Sequence, residues 1–306
     1  MHSSATEDSG SQARRTLSPV SPVSSVVGRR RTWHSGSLPG FHVTLGLTLF
    51  YLGMVVLLPL AALALKACDL SLAQFWATIV SPRALAAYKL SFGGAFLAAG
   101  INAVAGLLLS WVLVRYRFFG RALMDAIIDL PLALPTAVAG IALTAVYAPN
   151  GVVGGLLDRH DIHVAYRLPG VILAMVFVGL PFSVRSVQPV LMEIDPKVEE
   201  AAAVLGASRL RTFLRVILPL LTPSVVTGFT LAFARAVGEY GSIVFISGNL
   251  PGQTEIVPLL IVTKLEQFQY PEATALAVVM LAGSLLTLLV LNFIQARSRR
   301  WATHGS

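Results

Sequence analysis

The stretch that decides the fold runs from Leu168 to Pro219. Residues 168–190 read LPGVILAMVFVGLPFSVRSVQPV, an apolar run interrupted by one charge, Arg185. Residues 195–219 then read DPKVEEAAAVLGASRLRTFLRVILP, and from 216 apolar sequence resumes. A hydrocarbon core ~30 Å thick takes about 20 apolar residues per helical span. The first run is long enough to cross it. A barrel strand would instead show ~10 residues of alternating character, and no such alternation occurs here. The local pattern is membrane helix, charged connector, membrane helix.

The same test applied outward finds six apolar stretches, at 41–65, 88–114, 127–148, 168–190, 216–247 and 273–295. The composition agrees: of 306 residues, 55% are apolar and 12% charged, and mean hydropathy is +0.74. Soluble domains carry roughly 25% charged residues. The expected fold is an all-α polytopic membrane protein with six transmembrane helices over 39–297. In the second stretch Ala95, Ala99 and Ala103 recur at helical spacing, which lets backbones pack closely. Residues 1–38 are rich in Ser, Pro and Arg, with no apolar run of the kind a secretory signal needs. They read as a disordered cytoplasmic tail, and 298–306 as a second cytoplasmic tail.

The net charge of +8 is explained by orientation, because Lys and Arg favour cytoplasmic flanks. With the N-terminus inside, inner segments hold Arg14, Arg15, Arg29, Arg30, Arg31, Arg115, Arg117, Arg121, Lys197, Arg209, Arg211, Arg215, Arg297, Arg299 and Arg300. Outer segments hold only Lys66, Arg83, Lys89, Arg159, Arg167 and Lys264. Both termini are thus expected in the cytoplasm, and the basic balance is no sign of nucleic acid.

In the connector, Asp195 suits an N-cap and Pro196 the first helical position. Glu199 and Glu200 fall in the first turns, where the helix dipole favours negative charge. Val198, Ala201, Ala202 and Leu205 share one face. Gly206 supplies a left-handed stop. Ser208 then caps a second helix with Leu210, Phe213, Leu214 and Ile217 on one side, and Pro219 and Pro223 follow. An apolar stripe offered to the cytosol fits a groove on another protein. The alternative is a helix lying on lipid headgroups, against which the acidic first turn argues.

This connector resembles the cytoplasmic signature of ABC-importer permeases, Glu-Ala-Ala, three residues, Gly, then hydrophobic-Leu-Pro. The matching positions are Glu200, Ala201, Ala202, Gly206, Ile217, Leu218 and Pro219. The resemblance implies the type I ABC-importer permease fold over about 39–297. It also implies that the loop, with Glu200, Ala201, Ala202, Leu205, Gly206 and Pro219, couples the subunit to an ATPase. Tyr116-Arg-Phe-Phe-Gly-Arg121, the run Asp129 to Gly140 and the run Gly238 to Asn249 resemble the T-type permease of sulfate/thiosulfate importers. That implies a W-type permease partner, two ATPase subunits, a periplasmic sulfate-binding protein and the bacterial inner membrane. Molybdate permeases share the Glu-aromatic-Gly and Gly-Asn pattern, so molybdate is the alternative oxyanion.

No cofactor is expected. The four lysines follow Leu65, Tyr88, Pro196 and Thr263, so the Gly-Lys-Ser/Thr of a phosphate-binding loop is missing. A membrane-embedded enzyme, the competing class, would need a zinc motif, a Gly-x-Ser-x-Gly elbow or paired catalytic acids, and none stands out. A secondary transporter would show internal repeats with paired broken helices, and no clear repeat is seen. Cys68 is the single cysteine, and His160 and His163 read as solvated loop residues, not metal ligands.

Charge within a membrane marks function by default. Arg235 and Glu239, four apart, are candidates for the translocation path, with Gly238 and Gly241 as break points in a stretch too long for one span. A structural ion pair near the outer interface is the other reading. Arg185 is a third path candidate, or a side chain snorkelling from the inner end of its span. Asp129, Pro131 and Pro135 predict a kink at the start of the third stretch.

Overall fold

The computed structural model of the protein describes the backbone of residues 41–303 and the side chains of 41 and 43–295; the expected tail at 1–38 lies outside the described residues. Every regular element among them is helical. Five helices are long and apolar enough to cross a membrane: Val43–Ala67, Pro82–Arg115, Leu168–Glu193, Arg209–Val237 and Tyr270–Gln295. A bent pair, Arg121–Ala133 with Thr136–Tyr147, makes a sixth if counted as one span.

The chain divides into two compact units, Met1–Leu52 and Gly53–Ser306. In the first, the described part is helix α1, Phe41–Leu52, whose large apolar side chains are exposed. The second opens with a π-helical turn, Gly53–Leu57, and helix α2, Leu58–Ala67. Helix α3, Leu72–Ile79, begins in a capping box: Ser71 Oγ accepts from Gln74 N, and Gln74 returns the bond to Ser71 N. Helix α4 spans Pro82–Arg115, capped by Ser81, so the second span starts six residues before the expected 88.

The third stretch is sharply bent rather than continuous. Helix α5, Arg121–Ala133, and helix α6, Thr136–Tyr147, meet at 117°. Pro135 drives the preceding residue out of the helical region, and Leu134 sits at φ −83°, ψ 137°. Pro131, by contrast, is carried inside α5. After the short helix α7, Gly154–Asp158, comes helix α8, Leu168–Glu193. Helix α9, Lys197–Val204, and helix α10, Arg209–Thr212, form the connector. A π-helical turn, Phe213–Ile217, leads into helix α11, Leu218–Val237. The fifth stretch breaks at Gly238, followed by helix α12, Ile243–Ile246. Helix α13, Val257–Glu266, was no part of the expected six. Helix α14, Tyr270–Thr303, continues through much of the segment expected as a tail.

The core is the mutual packing of α4, α8 and α11, with α14 against α2, α11 and α13. Lipid offers apolar side chains no hydrophobic reason to associate, so close backbone contact has to hold such helices together. Ser183 of α8 marks a close approach to both neighbouring helices. A Cβ on Gly106 of α4 would lie 2.6 Å from Ser183 Cβ, and one on Gly228 of α11 3.0 Å from Ser183 Cα. Ser183 Oγ donates to Gly228 O at 3.3 Å and Ser110 Oγ to Val184 O at 3.1 Å. Ala95 and Ala99 are buried in the same seam, with Ala103 half-buried.

Candidate functional site

The connector folds locally as its residue types direct. Asp195 Oδ1 accepts from Lys197 N at 2.9 Å at the entry to α9. Gly206 has φ +78°, Gly206 N bonds Ala203 O at 2.9 Å, and Ala207 N bonds Ala202 O at 3.0 Å. These two bonds are the paired closure of a helix ending in a left-handed residue. Ser208 Oγ then accepts from Arg211 N to start α10. Helix α9 buries none of its residues. Val204 and Leu205 are 88% and 86% exposed, Glu200 and Ala201 are exposed, and Ala202 is half-buried. Pro219, exposed, lies in the first turn of α11. Helix α9 is thus ordered, closed at its C-terminal end by Gly206, and carries its apolar face uncovered.

Arg115, which sequence reasoning used only for topology, holds this helix. Its Nη2 lies 2.8 Å from Glu199 Oε1 and donates to Ile194 O at 3.2 Å. The guanidinium stands 5.8 Å over the Trp111 ring, and Trp111 meets Phe213 edge-on at 5.2 Å. An open cleft of about 440 Å³ runs between α4, α9 and the turn into α11.

Arg185 is held by two carboxylates of α5. Its Nε donates to Asp129 Oδ1 at 2.9 Å and its Nη1 to Asp125 Oδ1 at 2.8 Å, and Gln188 Oε1 accepts a further bond. Asp125 was missed; its spacing of four from Asp129 was the available signal, since two acids one turn apart bracket one cation. Asp125 and, from the predicted kink, Asp129 thus anchor α5 to α8.

Glu239 is 2% exposed. One carboxylate oxygen pairs with Arg235; the other accepts from Ser242 N and Ser242 Oγ, each at 2.9 Å. The carboxylate closes the turn after α11 at the expected break. Gly241 passes so close to α6 that a Cβ there would lie 2.2 Å from Thr136 Oγ1. The Arg235 side chain stays about one-third exposed. Arg235–Glu239 and Arg185 thus stand in separate clusters.

Among the residues expected in outer loops, His163 Nε2 lies 3.0 Å from Asp158 Oδ1, and Cys68 is exposed. Glu255 gave no signal in the sequence, yet it is buried and paired with Arg83. Asn102, also unremarked, is fully buried on α4 with neither amide atom hydrogen-bonded.

Comparison with known proteins agrees with this architecture. The chain is 47% identical over 263 residues, 86% of its length and 95% of the relative's, to the sulfate transport system permease protein CysT of Salmonella typhimurium. It is 44% identical to the protein of that name in Synechocystis, covering 93% of this chain and 98% of the other. Among solved structures, a bacterial ABC transporter involved in the import of the acidic polysaccharide alginate matches with TM-score 0.69 and 18% identity, over 84% of this chain and 94% of that one. At that identity the likeness concerns fold alone. Residues 102–304, from mid-α4 onward, match the model of one family throughout, and by that match the chain belongs to the binding-protein-dependent transport system inner membrane components.

Proposed function

We propose that the chain is the transmembrane permease subunit of an ATP-driven sulfate/thiosulfate importer of the bacterial inner membrane, with both termini cytoplasmic. It conducts and does not hydrolyse. A W-type permease completes the path, two ATPase subunits supply the energy, and a periplasmic sulfate-binding protein delivers the anion. The observation that carries this is helix α9, ended by the left-handed Gly206 and burying none of its residues. The ATPase covers its apolar face, touching Glu200, Ala201, Ala202 and Leu205, while Gly206 and Pro219 set its exit. The identity to relatives named as sulfate permeases supports the choice of anion.

Of the path candidates, Arg235 keeps the accessible position, beside a break of the kind that can expose polar backbone to a water-filled path. Glu239 and Arg185 act through their partners, Glu239 by fixing the break and Arg185 by holding α5. The test is uptake of labelled sulfate, thiosulfate and molybdate in a permease-null strain complemented with this chain. Restored sulfate uptake, abolished by Glu200→Arg or Gly206→Asp with membrane insertion intact and ATPase co-purification lost, is expected. Uptake of molybdate alone would reassign the anion, and uptake without any ATPase would overturn the coupling.

A further inference from the structure

We propose that Arg115 is the positioning residue that sets the stance of helix α9 relative to the membrane helices. The inference rests on α9 being the coupling helix and adds how its position is fixed.

Helix α9 buries no residue of its own, so core packing does not orient it. One guanidinium, 15% exposed, joins three elements instead. It belongs to the last residue of α4, donates to the carbonyl of Ile194 at the end of α8, and ion-pairs with Glu199 on α9. Its flat face rests over Trp111, which abuts Phe213 in the π-helical turn before α11. The inner ends of α4 and α8 therefore meet α9 through this side chain, and the turn into α11 joins them through Trp111. A displacement among α4, α8 and α11 is transmitted to α9 by charge and stacking.

Adjacent carboxylates on α9 divide the work. Successive helical residues point ~100° apart; Glu199 turns back to Arg115, while Glu200 stays exposed. The Arg115–Glu199 contact is an ion pair without an aligned hydrogen bond, and Arg115 Nε has no hydrogen-bond partner. Such a contact sets distance more than angle, leaving α9 room to pivot as the core moves. Lysine would keep the charge but lose the planar group that stacks and bonds at once.

The test uses the complete importer in lipid nanodiscs, with Cys68→Ser as background. Spin labels at Val204→Cys on α9 and Leu231→Cys on α11 report the stance of α9 directly. Native protein is expected to give one narrow distance distribution. Arg115→Ala and Glu199→Gln broaden it, Arg115→Lys does so partly, and the exchange Arg115→Glu with Glu199→Arg narrows it again. Transport per ATP hydrolysed falls roughly tenfold in Arg115→Ala. An unchanged distribution in Arg115→Ala overturns the proposal, as does a broadened one with transport per ATP intact. Failure of the coupling assignment looks different: Glu200→Arg then leaves ATPase binding and uptake intact, whatever the label distances show.

Discussion

Arg83 and Glu255, 172 positions apart, meet through two parallel bonds, Nε to Oε2 at 2.7 Å and Nη2 to Oε1 at 2.6 Å. The Glu255 side chain is wholly closed off, whereas Arg83 keeps 38% of its side-chain surface. Breaking such a pair from the open side strands a charge in the closed one. Arg83→Ala should therefore cost about 3 kcal/mol, read as lowered thermal stability of the purified complex. Arg83→Ala with Glu255→Gln should recover more than half of that loss. Equal stability of Arg83→Ala and native protein would remove the pair from the fold's support.

Asn102 and Gly179 form a second coupled pair. A Cβ on Gly179 would lie 2.4 Å from Asn102 Nδ2, and that amide is buried without a partner. Asn102→Ala removes an unsatisfied group and should leave stability equal or higher. Gly179→Ala should destabilise the native background but be tolerated beside Asn102→Ala. A coupling of about 1 kcal/mol in the double-mutant cycle is expected; simple additivity would refute the clash.

At the helix break, charge exchange is not symmetrical. Glu239 accepts from Ser242 N and Oγ, and arginine has no acceptor. Arg235→Glu with Glu239→Arg should abolish uptake despite preserving a pair. Glu239→Gln, which keeps an acceptor, should retain the folded break and assembly while shifting the sulfate KM through the uncompensated Arg235. Full activity in the exchanged pair would show that Ser242 does not depend on position 239.

Gly206 separates backbone strain from contact, since a Cβ there would meet nothing within 4 Å. Gly206→Ala should cost ~1–2 kcal/mol through the left-handed conformation alone. Gly206→Asn should cost less, because asparagine tolerates that region. ATPase co-purification from detergent should fall in the order native, Asn, Ala. An alanine variant as good as native would separate this stop from docking.

Local chemistry was the legible part. The cap at Ser208, the stop at Gly206 and the break at Gly238 all appear where neighbouring residues place them, whereas α9 starts one residue later than expected, with Pro196 at its N-cap and Asp195 accepting from Lys197 N just before it. Pro135 was seen as a kink, but a 117° turn depends on what α5 and α6 pack against, and sequence spacing does not carry that. The long-range pairs were invisible for a related reason. Arg185 finds Asp125 across 60 positions and Arg83 finds Glu255 across 172. A lone charge in an apolar run announces a cost without naming what relieves it. Helix α13 escaped because its ten residues are too few for the length test applied to spans.

The seam at Ser183 has a mechanical consequence. With Gly106 on one side and Gly228 on the other, the three backbones touch at one level with almost no side chain between them. Sliding would drive backbone into backbone, so the crossing fixes the level at which the three helices meet. Arg115 lies nine residues further along the same helix as Gly106, about 13 Å at ~1.5 Å per residue. A tilt of about 10° at Gly106 would swing that end by about 2 Å over this arm, a stroke comparable to the separation of the paired atoms it carries.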